Sequence, residues 1–299
     1  MALVPRRRTD PLWMLAPTAL LLAVFFFYPL LHAVHTSLHR WDLLTEPRFV
    51  GTANYRSLWE SGDLLHWTTT TVLFSLVVVT GATGLGLGLA LLLNRPGRLV
   101  GFVRSAVFSA YVVSWVSVAL LWLWVLDADA GALNGLLGFF GFEAVPWLGS
   151  PRLALLAVAG VTLWKIAGYG MVLFLAGLQD VPPALLEAAA LDGAGRLARF
   201  WHITWPLLRP TTLFVVTTSL IASFQVFDVV RVMTQGGPVH ATTVFVYAIY
   251  EQVFVNLRVG RASAAIVVFF VLLAALTALQ LWAWTRRDPS ARAPRGSHP

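Results

Sequence analysis

The chain has 299 residues, 58% of them hydrophobic and 12% charged, with a mean hydropathy of +0.75. A soluble globular domain carries about 25% charge, so the composition places this chain in a membrane. Net charge is +7 with no cysteine, which excludes disulfides, thiolate metal sites and cysteine nucleophiles; the arginines sit mostly at the ends of apolar segments, where they orient a protein in a bilayer rather than bind nucleic acid.

Six segments are long enough to cross a hydrocarbon core of about 30 Å at about 1.5 Å per residue. Residues 1–11 form an N-terminal segment with the run Arg6-Arg7-Arg8, and Leu12–Leu38 is the first span. It is much longer than a signal-peptide core and no small-x-small cleavage site follows near His35, so it reads as an uncleaved signal anchor. The second span, Trp67–Leu93, carries Gly81, Gly84, Gly86 and Gly88. This spacing, Gly84-x-x-x-Gly88 included, suits close helix–helix packing. The third span is expected as one helix over Val103–Leu126 and the fourth over Leu153–Leu178.

Only one of the 21 basic residues is a lysine, Lys165, and it lies inside the fourth span. An ammonium there costs a few kcal/mol on insertion scales (about 2.5–3.5), so it is expected to face a cavity or an acidic partner. Contact with an anionic cargo and a structural ion pair are both open to it. A phosphate-binding P-loop ends in Gly-Lys-Ser/Thr, and no such motif can be built around Lys165. Any ATP must therefore be hydrolysed by another subunit.

Between the fourth and fifth spans lies a polar loop over residues 179–210. Its run Glu187-Ala188-Ala189-Ala190-Leu191-Asp192-Gly193 predicts a short helix with an acidic start and a sharp glycine end, a rigid docking element for another protein. The fifth span, Thr211–Val230, places Thr218, Ala222, Gln225 and Asp228 on one helical stripe. A polar stripe faces protein or water: Thr218, Gln225 and Asp228 either line a path, together with Lys165, or form a seam with neighbouring helices. Gly236-Gly237-Pro238 reads as a turn. The sixth span is Ala262–Trp284, and the Arg-, Pro- and Ser-rich residues 285–299 read as a disordered tail. With the N-terminus inside, thirteen arginines fall in cytoplasmic segments against seven outside, so both termini are expected in the cytoplasm. The 179–210 loop is then cytoplasmic and the Gly-Gly-Pro turn is outside.

Several motifs carry a resemblance. Phe49-Val50-Gly51-Thr52-Ala53-Asn54-Tyr55, Gly131-Ala132-Leu133-Asn134-Gly135, Ala176-Gly177-Leu178-Gln179, Glu187-Ala188-Ala189 with Asp192-Gly193, Ile203-x-x-Pro206, and Phe227-Asp228 through Gly236-Gly237-Pro238 with Ala241-Thr242-Thr243 cover nearly the whole chain. Together they resemble the permease subunits of binding-protein-dependent carbohydrate-uptake ABC transporters of the maltose and glycerol phosphate type, in particular the partner with the Gly-Gly-Pro loop. Thr69-Thr70 stands where that family usually has Asn-Thr, and Ser109-Ala110 where a proline usually precedes Tyr111, which leaves local helix-end geometry open.

The resemblance implies an all-α polytopic protein with a single transmembrane domain over residues 12–284 and a cytoplasmic coupling helix between helices four and five. It implies that Glu187, Ala188, Ala189, Asp192 and Gly193 meet an ATPase and that Gly236, Gly237 and Pro238 lie where a solute-binding protein docks. Its implied partners are a second, similar permease, two cytoplasmic ATPase subunits that bind ATP and Mg, an extracytoplasmic solute-binding protein and the lipid of a bacterial cell membrane. No nucleic acid, metal or cofactor of its own is implied, and no enzymatic chemistry. The expected cargo is a sugar or related polyol, with glycerol phosphate or its diesters as the alternative. An ion-coupled secondary transporter would be expected to carry more buried titratable groups than Lys165 and Asp228. An intramembrane enzyme would need a cluster that the seven histidines do not form.

Overall fold

The computed structural model describes residues 10–287; the expectations for residues 1–9 and for the tail over 288–299 lie outside the described residues. The chain opens with α1 (Asp10–Leu22) and α2 (Tyr28–Ser37), joined by a π-helical turn at Ala23–Phe27. Pro29 explains the turn. It has no N–H to continue the α ladder and its ring crowds the preceding carbonyls, so the Tyr28 N–H bonds back to Ala23 instead. Then come strands β1 (His39–Arg40) and β2 (Arg48–Phe49), α3 (Ala53–Glu60), α4 (Asp63–Leu93), α5 (Arg98–Val112), α6 (Trp115–Val125), α7 (Ala132–Phe139) and α8 (Ala154–Gln179). The remainder is α9 (Pro183–Leu191), α10 (Arg196–Arg199), α11 (Trp205–Leu207), α12 (Arg209–Phe224), α13 (Asp228–Met233), α14 (Phe245–Phe254) and α15 (Val259–Arg287).

Among the described residues, four helices are long and apolar enough to cross a membrane: Met14–Ser37, Asp63–Leu93, Ala154–Gln179 and Val259–Gln280. Two bent pairs, Arg98–Val112 with Trp115–Val125 and Arg196–Leu207 with Arg209–Phe224, raise the number to six if each is one span. The expected third span over Val103–Leu126 is therefore not one helix: it turns by 102° at Val113–Ser114. The fifth also differs. Its helix ends at Phe224, Gln225 caps it, and Asp228 opens the separate α13, where an acidic first turn is favoured. At its other end, the second π turn, Phe200–Thr204, again stands one residue before an X-Pro pair, Trp205-Pro206. The last helix continues to Arg287, past the expected end at residue 284.

Contacts gather the chain into two compact units: the residues up to Leu65 with Ile249–Ala278, and His66–Ala248 with the residues from Leu279 onward. In the first, β1 pairs antiparallel with β2, and the Asn54 amide donates to the carbonyls of Ser37 and His39 at 2.7 and 2.9 Å. Arg261, only 9% exposed, donates to Asp63 and to the Ser61 hydroxyl, both at 2.7 Å. The apolar window of Met14–Ser37 buries none of its length within this chain, as suits a helix whose solvent is lipid.

In the second unit α8 is the hub, with 67% of its apolar window buried. Glycines let it approach its neighbours. A Cβ on Gly168 would fall 2.5 Å from the Val107 carbonyl oxygen of α5, and Gly170 meets Gly86 of α4 backbone to backbone. Gly84 and Gly88 have nothing within 4 Å of a Cβ, so the expected Gly84-x-x-x-Gly88 contact is absent from the described residues and the packing glycines are Gly81 and Gly86. Ala90, Met171, Phe174, Leu175 and Val215 close the core below this crossing.

Candidate functional site

The break between α5 and α6 leaves the last carbonyls of α5 without helical partners, in a region where lipid offers none. Lys165 answers them. Its Nζ donates to the carbonyl of Ala110 at 3.2 Å, to that of Tyr111 at 2.9 Å and to that of Val113. An ammonium has three protons, and all three are engaged. It is also the favoured sign of charge at a helix C-terminus. The Trp115 ring at 4.8 Å and the Tyr111 ring at 5.9 Å add aromatic faces to the cation. Lys165 is 2% exposed and has no acidic partner among the described residues. Tyr111 stacks on Tyr169, centroids 4.8 Å apart.

The other expected path residues lie apart from one another. Thr218 returns its hydroxyl to the carbonyls of Phe214 and Val215 within its own helix. Gln225 is exposed at the end of α12, and Asp228 is half-buried at the start of α13. The stripe through Thr218, Ala222, Gln225 and Asp228 does not survive as one helical face, because the chain leaves the helix at Gln225 and Phe227 is not helical, with φ −141°. However, α13 packs against both α6 and α8, the helices that carry Trp115 and Lys165.

The polar loop holds α9 over Pro183–Leu191, with proline at its first position, where the missing N–H costs nothing. Glu187 therefore sits mid-helix rather than in the first turn. Asp192 caps the helix and Gly193 takes φ +81°. The Ala194 N–H reaches the Ala189 carbonyl at 2.9 Å and the Gly193 N–H that of Ala190 at 3.1 Å. These two bonds form a Schellman ending. A Cβ on Gly193 would meet nothing within 4 Å, so backbone conformation alone requires glycine here. Glu187, Ala188 and Asp192 are exposed and Ala189 is half-buried.

At the other end of the unit, Gly236 is buried with φ +79°, and Gly237–Pro238 is a cis peptide. Thr242 donates its hydroxyl to the Gly237 carbonyl at 2.7 Å, and Thr243 donates to that of Gly236 at 3.1 Å. The His240 carbonyl meets His66 Nε2 at 2.9 Å, and the Phe245 N–H donates to Thr71 Oγ1 at 2.8 Å. The loop is thus a cross-tied knot whose exposed tip is Val239 and His240, not the glycines. Sequence reasoning passed over that tip, and it also passed over the carbonyls at 110–113. Paired β-branched residues before a serine, Val112-Val113-Ser114, were the available signal for the break.

Residues 82–287 match the family described as binding-protein-dependent transport system inner membrane component. The chain is 37% identical over 272 residues to the sn-glycerol-3-phosphate transport system permease protein of Agrobacterium fabrum, covering 90% of this chain and 92% of that one. It is 36% identical over 272 residues to the sulfoquinovosyl glycerol transport system permease protein of the same organism, covering 90% and 88%. Among solved structures it is similar to a chain of a bacterial ABC transporter involved in the import of the acidic polysaccharide alginate, with TM-score 0.81, 24% identity and coverage of 95% and 97%. The likeness in fold extends to the middle of the chain, where the two bent helix pairs lie.

Proposed function

The chain belongs to the family of binding-protein-dependent transport system inner membrane components, and we propose that it is one of two permease subunits in a bacterial ABC importer for an anionic polyol ester of the glycerol phosphate kind. It forms half of the translocation path. A second permease completes the path, two cytoplasmic ATPases that bind ATP and Mg drive it, and an extracytoplasmic solute-binding protein delivers the cargo.

The observation that carries the cargo class is the likeness to the two permeases above, whose names share a glycerol and an acidic group. Lys165 does not add to it, since its three protons are committed to backbone carbonyls and it is 2% exposed. A neutral sugar is the second reading, supported by the stacked Tyr111–Tyr169 pair beside the break. Gln225 and Asp228 offer hydrogen bonds to hydroxyls in either case.

The orientation with both termini in the cytoplasm follows the arginine tally. It puts α9 where an ATPase docks, with Glu187, Ala188, Ala189, Asp192 and Gly193 forming the contact. The loop at Gly236, Gly237 and Pro238 faces the binding protein through its Val239–His240 tip.

Proteoliposomes holding the importer, its binding protein outside and ATP inside test the reading. ATP-dependent accumulation of glycerol 3-phosphate or a glycerophosphodiester is expected. Accumulation of neutral sugars alone removes the anionic cargo and keeps the permease. No ATP-dependent uptake of any polyol, with no ATPase co-purifying from intact membranes, removes both.

A further inference from the structure

Behind α9 the second unit has an open pocket of about 270 Å³, whose walls include Asn94, Leu186, Arg196, Arg199, Phe200 and Thr204. Two guanidinium groups line it and no acidic side chain does. The Nε of Arg199 is buried without a hydrogen-bond partner, and its Nη1 reaches only the Leu186 carbonyl, at 3.5 Å. Arg199 is half-buried as a whole, but a buried donor of a charged group left unpaired is unfavourable. It is the kind of group that an anion completes. Asn94 and the buried Thr204 add neutral polar groups to the same wall, while Leu186 and Phe200 supply apolar surface.

The lining therefore suits a ligand with an anionic head and a short, less polar remainder. Arginine's planar fork matches phosphate oxygens two at a time. The volume lies just under the 300–1,000 Å³ or so of drug-sized pockets, which leaves room for one phosphate group with a small ester. The position agrees. Leu91 and Leu178, also in the wall, belong to the last turns of α4 and α8, where apolar span gives way to an arginine-rich loop, and Trp201 beside it is exposed at the level where aromatic belts form. Basic pockets between span ends on the cytoplasmic face are where anionic headgroups settle.

We propose that this pocket is a binding site for a phosphate ester anion, which joins Arg196 and Arg199 to the ends of α4 and α8 and so holds α9 in its seat. The ligand comes either from a phospholipid headgroup or from a free phosphate compound in the cytoplasm. The site's assignment to the cytoplasmic side rests on the orientation proposed above.

The test uses the complete importer, purified and delipidated in detergent. Its thermal midpoint is followed against inorganic phosphate and against dihexanoyl phosphatidylglycerol, each compared with sodium chloride at equal ionic strength. A saturable rise is expected, with apparent affinity at least about tenfold weaker in Arg199→Gln, the size expected for a charge-assisted bond of 1.5–3 kcal/mol. Arg196→Gln, whose side chain is exposed and carries less folding risk, should weaken it several-fold and keeps the test open should Arg199→Gln fail to assemble. A rise with both probes supports the site and assigns it to free phosphate compounds; a rise with the lipid alone supports it and assigns the headgroup. No rise above the chloride control, or an identical rise in both variants, overturns the site. Neither cargo nor ATP enters the measurement, so its failure is distinct from failure of the transport reading.

Discussion

Gly86 and Gly170 bring α4 and α8 into backbone contact: a Cβ built on Gly86 would lie 3.0 Å from the Gly170 carbonyl carbon and 3.1 Å from its Cα. Neither helix can yield without moving its own backbone. Gly86→Leu is expected to destabilise the assembled complex by about 1–3 kcal/mol, the usual cost of overpacking, or more. Gly84→Ala, which meets open space, should change stability by no more than about 0.5 kcal/mol. Thermal denaturation of the two variants side by side checks the pair; equal losses would move the packing face back to Gly84.

Removing the Lys165 ammonium leaves three carbonyls at the α5–α6 break without that donor. Lys165→Met should therefore cost about 1–3 kcal/mol, the penalty of leaving acceptors unsatisfied, and should loosen the break itself. Because the chain has no cysteine, Ser114→Cys provides a single labelling site on the native background. Its reaction with a membrane-impermeant maleimide should speed up when Lys165→Met is added. An unchanged labelling rate would show that the break holds without the lysine.

Gly193 has φ +81° with open space around it, so the effect of a substitution should follow backbone preference rather than size. A left-handed residue with a Cβ costs about 1–2 kcal/mol, less for Asn. Gly193→Asn should keep most of the co-purifying ATPase and most cargo-stimulated ATP hydrolysis, whereas Gly193→Val should lose much of both. Equal losses from the two would point to a steric contact with the partner instead.

Gly236 combines conformation with crowding. Its φ is +79°, and a Cβ would fall 2.7 Å from the Tyr247 ring and 2.8 Å from Thr243 Oγ1. Gly236→Ala should lower stability by about 2 kcal/mol or more, summing left-handed strain and overpacking. Val239→Asp at the exposed tip should instead leave the melting midpoint in place and weaken capture of the solute-binding protein. Surface plasmon resonance on the importer separates the two effects; normal capture by Val239→Asp removes the tip from the docking surface.

Arg261 ties α15 to the start of α4 through Asp63 and Ser61. Asp63→Asn keeps the shape and removes the charge. Since Asp63 is 37% exposed at its side chain, the loss should be modest, about 1 kcal/mol, and a drop of no more than a few degrees in melting midpoint is expected. A much larger drop would mean that Arg261 has no other way to satisfy its charge.

The four long helices and the two bent pairs were legible because each apolar run is long enough to cross a hydrocarbon core, and the glycine end of α9 was legible because a left-handed helix ending favours glycine. The break in the third span was not. Val103–Leu126 is apolar apart from Arg104 and four serines, and the group that stabilises the break, Lys165, comes from a distant part of the chain. The glycine run of α4 showed that some face is small without showing which, since Gly170 on another helix makes that choice. The stripe from Thr218 to Asp228 failed for a related reason: helical periodicity presumes a continuous helix, and α12 stops at Phe224. The Gly-Gly-Pro turn was readable as a turn, but the threonine hydroxyls that tie it down come from the following residues, and only folded geometry pairs them.

The corner in the fifth span has a mechanical consequence. The segment ending at Leu207 and α12 meet at 65° around Leu208, a fully buried residue set between Pro206 and Pro210. A straight rod passes a push along its own axis. A stiff elbow is a bell crank: displacement of one arm in the plane of the membrane swings the other arm across it, and the buried leucine is the pivot pin.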